Sequence, residues 1–147
     1  MTDLVSNRRA FHDYEILETY ESGLMLMGTE IKSLRANGGS LQEAYVTDKK
    51  GDLYLVNASI APYKQGNIHN HEDKRDRKLL LHKREIEQLQ KAVAIKGHTL
   101  IPLAIYLNKR GYAKLKVAIA RGKKAHDKRA SIKEREQKRS LARGEES

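Results

Sequence analysis

The residues with the most evident capacity for chemistry are His69 and His71, which stand two positions apart in the stretch "HNH". Imidazole nitrogens are common metal ligands, and a metal held by such a pair could activate water to cleave a phosphodiester. A metal site needs further ligands at a suitable spacing, and none lies nearby. We therefore interpret the two histidines as solvated loop residues. A metal-dependent phosphodiesterase is the least favoured functional hypothesis.

Other catalytic arrangements find little support. The chain has no cysteine, which excludes disulfides, thiol nucleophiles and thiolate metal sites. It also lacks the glycine-rich loops that bind nucleotide phosphates. Three carboxylates follow the histidines and alternate with four cations, so that their fields partly cancel: Glu72, Asp73 and Asp76, with Lys74, Arg75, Arg77 and Lys78. We predict a protein that is not an enzyme, with no metal and no cofactor.

Side chains that could bind a nucleic acid are more numerous. Four rings could stack on bases: His12, Tyr14, Tyr20 and Tyr63. For Tyr14 and Tyr20, packing in a core is the favoured interpretation of their spacing. Five cations could form a basic rim or simply be solvated: Arg8, Arg9, Arg75, Arg77 and Lys78.

The positive charge is concentrated near the end of the chain. The net charge is +10, and residues 109–147 carry 14 Lys and Arg against five Asp and Glu. Residues 1–108 are nearly neutral, with 15 against 14. This asymmetry indicates a polyanionic partner, most often nucleic acid. A solubilising tail is the alternative, and a membrane surface is less favoured because the segment lacks an apolar face.

The segment "GKKAHDKRASIKERE" starts at residue 122 and has almost nothing to bury. Ser131 and Glu134 match a capping box, which predicts a helix that continues toward Arg143. Ile132 and Leu141 alone cannot hold such a helix against a core, and isolated helices of this length are marginal in water. We therefore predict a tail that is disordered when free and helical on a polyanion.

The elements that must position these residues are mostly strands. After a flexible leader over residues 1–11, alternation predicts a strand from residue 14, broken at Gly23. Further periodicity and turn signals predict a short helix capped by Thr29, a hairpin at 45–57, a polar loop at 62–78, a helix at 83–96 and a second hairpin at 99–120.

The last strand has two distinct faces. Ala113, Leu115, Val117 and Ile119 point to a core, whereas Lys114 and Lys116 face solvent or a phosphate backbone. Five or six antiparallel strands with two or three short helices predict a mainly β fold, a closed or partly open barrel of the oligonucleotide-binding kind. We expect residues 1–120 to form this barrel and residues 121–147 the basic tail.

The composition favours a cytoplasmic protein. No segment approaches the length of a membrane helix, and the first thirty residues lack a secretory apolar region.

Four stretches together carry a family resemblance. "NRRAFHDYEI", "YESGLMLMGTEIKSLR", "DRKLLLHKRE" and "GKKAHDKR" followed by "IKERE" resemble the SmpB family, the SsrA-binding proteins of bacteria. The resemblance runs from Asn7 to Arg143, with the motifs in the same order. It implies an oligonucleotide-binding-like barrel that binds the tRNA-like domain of transfer-messenger RNA and stands in for the missing anticodon arm.

The resemblance also implies partners and sites. The protein would deliver this RNA to ribosomes stalled without a stop codon, in a complex expected to include elongation factor Tu. Its tail would lie in the decoding centre and the empty message channel. The RNA-binding positions carried over are Asn7, Arg8, His12, Glu21, Lys78, Leu80 and His82. The ribosome-binding tail positions are Lys123, Lys124, His126, Asp127, Lys128 and Arg129.

The chain departs from the family where His82 replaces a frequent Asn, which would cap the following helix better. A less specific RNA- or ribosome-associated chaperone is the alternative function.

Overall fold

The computed structural model describes residues 3–63 and 70–122. These residues form a mainly antiparallel β structure with three helices. The helices are α1 (Arg8–Asp13), α2 (Gly28–Arg35) and α3 (Lys83–Val93). The strands are β1 (Asp3–Ser6), β2 (Tyr14–Leu24), β3 (Gly39–Ser40), β4 (Tyr45–Lys49), β5 (Asp52–Val56), β6 (Ser59–Ile60), β7 (Arg77–Leu80), β8 (His98–Leu107) and β9 (Ala113–Gly122).

Seven strands form one sheet in the order β1-β8-β9-β2-β7-β5-β4, and β3 pairs with β6 separately. Every pairing is antiparallel. The last strand, β9, lies between β8 and β2 and pairs with each along almost its whole length. The β2–β7 junction is short, because only Gly23 and Leu24 pair there, with Leu80 and Leu79. The two hairpins predicted from sequence, β4–β5 and β8–β9, are confirmed.

The inner face of the sheet carries the main core, which α2 and α3 help to cover. Leu115 and Val117 of β9 are fully buried there, together with Leu34 of α2 and Leu89 of α3. The predicted alternation along β9 is confirmed. The helix predicted at 83–96 is confirmed over Lys83–Val93 and ends three residues earlier than predicted. Val93, its last residue, is 39% exposed.

The outer face carries a smaller core beneath α1. Ala10 of α1 packs over Ala118 and Ala120 of β9. Small side chains at these two positions allow the helix to lie close to the strand. Beyond α1, the outer face is polar, and the cleft described below lies there.

The prediction of a flexible leader over residues 1–11 is wrong for residues 3–11, which the structure describes. Residues 3–6 form β1, in which Val5 pairs with Ile105, and residues 8–13 form α1. Leu4 and Val5 pack against the main core. Leu4 and Val5 are too short an apolar stretch to show a periodicity. The segment forms a strand because it pairs with β8, about a hundred residues later in the chain.

Two other strand predictions need correction. Gly23 does not break β2, which continues to Leu24. The described residues contain nine strands, whereas five or six were predicted, and β7 lies at the end of the predicted polar loop. The loop prediction failed at Arg77 because this arginine is buried. In the described part of the chain, no helix has the length and apolar character needed to cross a membrane.

Candidate nucleic-acid interface

Four of the seven predicted RNA-binding residues line one cleft on the outer face. Glu21 comes from β2, Lys78 and Leu80 from β7, and His82 from the residue before α3. The cleft has a volume of about 510 Å³ and is also lined by Lys114 of β9. Three stretches that are distant in sequence therefore meet here: β2, β7 with the following His82, and β9. Together they supply an acceptor, two cations, an exposed leucine and an imidazole.

The sheet register explains how these side chains meet. Tyr106, Lys114, Gly23 and Leu80 occupy successive positions across β8, β9, β2 and β7. Because side chains at paired positions share a face, this row crosses the outer face, and its Lys114, Gly23 and Leu80 line the cleft. In the next row on the same face, Glu21 lies opposite Lys116.

Gly23 allows Leu80 to lie against β2. A Cβ atom placed at Gly23 would come within 3.0 Å of the Leu80 Cβ. Leu80 is 50% exposed, so the leucine offers an apolar surface to the cleft instead of entering the core. Gly23 thus allows two strands to lie close together. In the sequence, the same glycine was interpreted as a strand break.

Glu21 has a fixed partner at the cleft. The Tyr106 hydroxyl donates a hydrogen bond to Glu21 Oε2, across 85 positions of sequence. Tyr106 is nearly buried, and this burial, followed by the bond to the carboxylate, raises the pKa of its hydroxyl. Tyr106 therefore stays protonated and remains a donor across the physiological range.

The cations that line the cleft, Lys78 and Lys114, and the adjacent Lys116 differ in their neighbours. Lys78 Nζ lies 3.6 Å from Asp52 Oδ2, so its charge is partly balanced. Within the described ranges, Lys114 and Lys116 form no ion pair. Both lysines are positioned by β9, and their charges are available to an anion.

His82 occupies the N-cap position of α3 without capping the helix through its ring. The backbone N–H of His82 donates to Glu85 Oε1 at 3.1 Å. Among the described residues, the imidazole makes no cap hydrogen bond. The physical expectation that His caps poorly is met, and the exposed ring remains available at the mouth of the cleft.

The other three predicted RNA-binding residues lie around α1. Asn7 has a structural task, because its Nδ2 donates to Pro102 O at 3.0 Å and its backbone N–H donates to Leu103 O at 2.8 Å. Arg8 and His12 are exposed. The His12 Nδ1–H donates to Asp13 Oδ1 at 3.1 Å, and this bond lowers the pKa of the Asp13 carboxyl.

The aromatic residues divide as the core-packing interpretation predicted. Tyr20 packs against the main core, and Tyr14 packs against the smaller core beneath α1. Tyr63 is half-buried, and Lys32 Nζ lies 5.8 Å from its ring centroid. Of the four rings considered for stacking, only His12 is exposed.

Arg77 belongs to neither of the two arrangements predicted for it, a basic rim or a solvated surface. Its side chain is fully buried, and its Nε donates to Glu30 Oε2 at 2.7 Å. Its other donors bind backbone carbonyls, including that of Ala58 at 2.9 Å and that of Asp73 at 3.0 Å. Arg77 therefore joins α2 to the segment before β7.

The neighbouring Arg75 also binds Glu30, through Nη2 at 2.6 Å. Burial raises the pKa of the Glu30 carboxyl, but the hydrogen bonds from Arg75 and Met27 and the charge of Arg77 outweigh it. The pKa of Glu30 consequently lies below its ordinary value.

His71 is not a solvated loop residue, and that prediction is wrong. It is 6% exposed, and its Nε2–H donates to the carbonyl of Ile60 at 2.9 Å. In the neutral ring, Nδ1 then accepts from the Thr29 hydroxyl at 2.8 Å. Thr29 does not cap α2, since Met27 occupies the cap position. With both ring nitrogens engaged, His71 is poorly placed to bind a metal.

Some predicted residues lie outside the described ranges. These are His69 and the tail positions Lys123, Lys124, His126, Asp127, Lys128 and Arg129. The strand β9 extends to Gly122, two residues into the predicted tail. Among the described residues, no group of three or more His, Asp or Glu could hold a metal ion.

Sequence reasoning missed Tyr106 and gave a different role to Gly23. Alternation along β8 could have placed Tyr106 on the outer face, but nothing local identifies its partner in β2. Lys114 and Lys116 were placed correctly by alternation, although neither was included among the predicted RNA-binding positions.

Comparison with known proteins gives consistent results over nearly the whole chain. The family described as SmpB protein matches residues 4–147. An SsrA-binding protein of Protochlamydia amoebophila is 60% identical over 140 residues, covering 95% of this chain and 91% of the relative. One from Fervidobacterium nodosum is 48% identical, covering 92% of this chain and 91% of the relative.

A solved structure described as "tmRNA-SmpB: a journey to the center of the bacterial ribosome" contains a similar chain. The two chains are 53% identical, with a TM-score of 0.72, and the match covers 88% of this chain and 90% of the other. The family match over residues 4–147 and these similar chains show that the chain belongs to the SmpB family.

Proposed function

We propose that this protein is an RNA-binding adaptor of trans-translation, without enzymatic activity, that acts in the cytoplasm. It binds the tRNA-like domain of transfer-messenger RNA, stands in for the missing anticodon arm and delivers this RNA to ribosomes stalled without a stop codon. The similar chain in a structure described by the words "tmRNA-SmpB" and "bacterial ribosome" supports this proposal.

The convergence of Glu21, Lys78, Leu80 and His82 on one outer-face cleft is the observation that carries the proposal. A carboxylate can accept hydrogen bonds from base edges, and lysines can neutralise phosphates. The exposed leucine and imidazole can pack against unstacked bases. A cleft that combines these groups suits a folded RNA with splayed nucleotides better than a uniform duplex, which offers mainly its backbone.

The finer parts of the proposal rest on the sequence and the family. The described residues would form a barrel of the oligonucleotide-binding kind, with β4 close to β8 across the opening of the sheet. Residues 1–120 would act as the RNA-binding body and residues 121–147 as the basic tail. The tail would enter the decoding centre and the empty message channel of the small subunit. Elongation factor Tu would travel in the same complex.

A binding competition tests the function of the body. The full chain is titrated with labelled transfer-messenger RNA at near-physiological salt, with unrelated tRNA in excess. We expect binding to persist under competition. If the competitor removes the protein, the charge acts without discrimination, and the less specific RNA or ribosome-associated chaperone becomes the better hypothesis.

A lysine variant tests the cleft itself. Lys114→Ala is expected to weaken binding and to reduce the slope of log affinity against log salt by about one. Lys91→Ala is the matched control, since Lys91 is exposed on α3 and does not line the cleft. Equal effects of the two substitutions would indicate general electrostatic attraction.

Truncation after Gly122 tests the tail. The body should keep its melting temperature and its RNA affinity, because β9 remains complete. Tagging of nascent chains in a reconstituted translation system should be lost. A truncated chain that still supports tagging would show that the tail has no part in the ribosomal step.

A further inference from the structure

We propose that Tyr106 is a positioning residue that fixes the Glu21 carboxylate as a directional acceptor for a base edge. The inference deepens the proposed function, because it concerns RNA recognition by the same cleft. It rests on the hydrogen bond between the Tyr106 hydroxyl and Glu21 Oε2 and on the strand register around it.

The register places this hydrogen bond above β9. Tyr106 lies opposite Lys114, and Glu21 lies opposite Lys116 on the other side of the strand. A line from Tyr106 to Glu21 therefore crosses β9 between the two lysines. The acceptor is held between two cations that are suited to the phosphates on either side of a nucleotide.

Tyr106 supplies rigidity that Glu21 lacks. Glu21 is exposed on its strand, and an unrestrained glutamate loses considerable rotamer freedom when a ligand orders it. Tyr106 is only 9% exposed, so the surrounding strands fix its ring. Its hydroxyl therefore orders the carboxylate before RNA arrives, and less entropy is lost on binding.

The arrangement has consequences for specificity. Tyr106 occupies Oε2, so Oε1 remains to accept a hydrogen bond from RNA. An ionised carboxylate has no donor, and it selects base edges that donate, such as the exocyclic amino groups of cytosine and guanine. Phosphates and base carbonyls are rejected at this position. Tyr106 thus contributes to discrimination between bases, whereas Lys114 and Lys116 contribute to the affinity for any RNA backbone.

The test compares Tyr106→Phe in two backgrounds. Phe keeps the ring and its packing and removes only the hydroxyl. Affinity for the isolated tRNA-like domain is measured for the full chain, for Tyr106→Phe, for Glu21→Gln and for the double variant. We expect Tyr106→Phe to weaken binding about threefold to tenfold, because the Glu21 side chain must then be ordered when RNA binds. In the Glu21→Gln background, the same change should have almost no effect.

The salt dependence and a second tyrosine provide the controls. Tyr106→Phe should leave the salt slope unchanged, because Tyr106 neutralises no phosphate. Tyr112→Phe removes a hydroxyl from the neighbouring β8–β9 turn, where Tyr112 is 64% exposed, and should have no effect. A general loss of structure would instead weaken binding in both backgrounds.

Two results would overturn the inference: an unchanged affinity of Tyr106→Phe, or equal losses in the parent and Glu21→Gln backgrounds. Loss of binding between the unaltered chain and transfer-messenger RNA in the competition described above would count against the proposed function instead. The two failures are therefore distinguishable.

Discussion

The buried Glu30–Arg77 pair makes the strongest prediction about stability. Both side chains have 0% exposure, and the two Glu30 oxygens accept from four donors: Arg77 Nε, Arg75 Nε, Arg75 Nη2 and the backbone N–H of Met27. In Glu30→Gln, one acceptor oxygen becomes an amino group that faces arginine donors. Arg77 is then left buried without its ion-pair partner.

The cost follows from the burial. Removal of one partner of a buried ion pair costs about 3–5 kcal/mol, because the remaining charge is desolvated and unpaired. Domains of this size have about 5–15 kcal/mol of stability in total. A loss near 4 kcal/mol should lower the melting temperature by roughly 15 °C. Urea unfolding followed by circular dichroism gives the free energy of unfolding at pH 7.

Glu85 supplies a matched control. Like Glu30, it is the third residue of its helix and accepts the N-cap backbone N–H, at 3.1 Å from His82. Among the described residues, however, it has no arginine partner. Glu85→Gln should cost about 0.5–1 kcal/mol. If the two substitutions have equal costs, the ion pair is not what stabilises this region.

The pH dependence gives an independent check. Because the folded state lowers the pKa of Glu30, its ionisation stabilises the protein above the unfolded pKa of about 4.3. That contribution is lost as the pH falls through the folded pKa. The difference in unfolding free energy between the parent chain and Glu30→Gln should be complete at pH 7 and shrink below about pH 4. A difference that stays constant down to pH 3 would refute the reasoning.

Three further substitutions probe other features. Gly23→Ala should push Leu80 outward, lower the free energy of unfolding by about 1–2 kcal/mol through overcrowding, and weaken RNA binding. Gly28→Ala has open space around it and should change neither the stability nor the binding. Melting curves and binding titrations of the two variants, run in parallel, check this. His71→Ala should lower the free energy of unfolding by about 2–3 kcal/mol, because buried carbonyls lose their hydrogen-bond donor. A chelator should not change the stability of the parent chain. If it does, the hypothesis of a metal site at His71 gains support. His82→Asn should raise the free energy of unfolding by about 1 kcal/mol through a side-chain cap, and no gain in a urea titration would show that the cap is already satisfied.

Local patterns predicted the elements that carry their own periodicity. The alternation of β9, the helix that begins at Lys83 and the β4–β5 hairpin, which turns at Lys50 and Gly51, were all predictable from neighbouring residues. The positive φ of Lys50 and Gly51 fits this hairpin turn. These elements were predictable because the information that specifies them lies within a few residues.

The remaining features depend on distant partners. β1 is a strand because β8 pairs with it. Arg77 is buried because its guanidinium forms an ion pair with the buried Glu30. In sequence, Arg77 is one of several cations in a polar stretch, and nothing nearby distinguishes it. The RNA-binding positions came from the family resemblance, and their convergence on one cleft required the sheet register. The contact of Tyr106 with Glu21 joins β8 to β2 and has no local signal in either strand.

The central place of β9 has a consequence for synthesis of the chain. Its two neighbours, β8 and β2, are not paired with each other, so a nascent chain that ends before Ala113 has no strand to join them. Until then, β2 can pair only with β7, over two residues. Vectorial synthesis therefore delivers the joining strand last among the described elements. The body completes its sheet only as residues 113–122 leave the exit tunnel, and the basic residues 123–147 follow as the trailing segment.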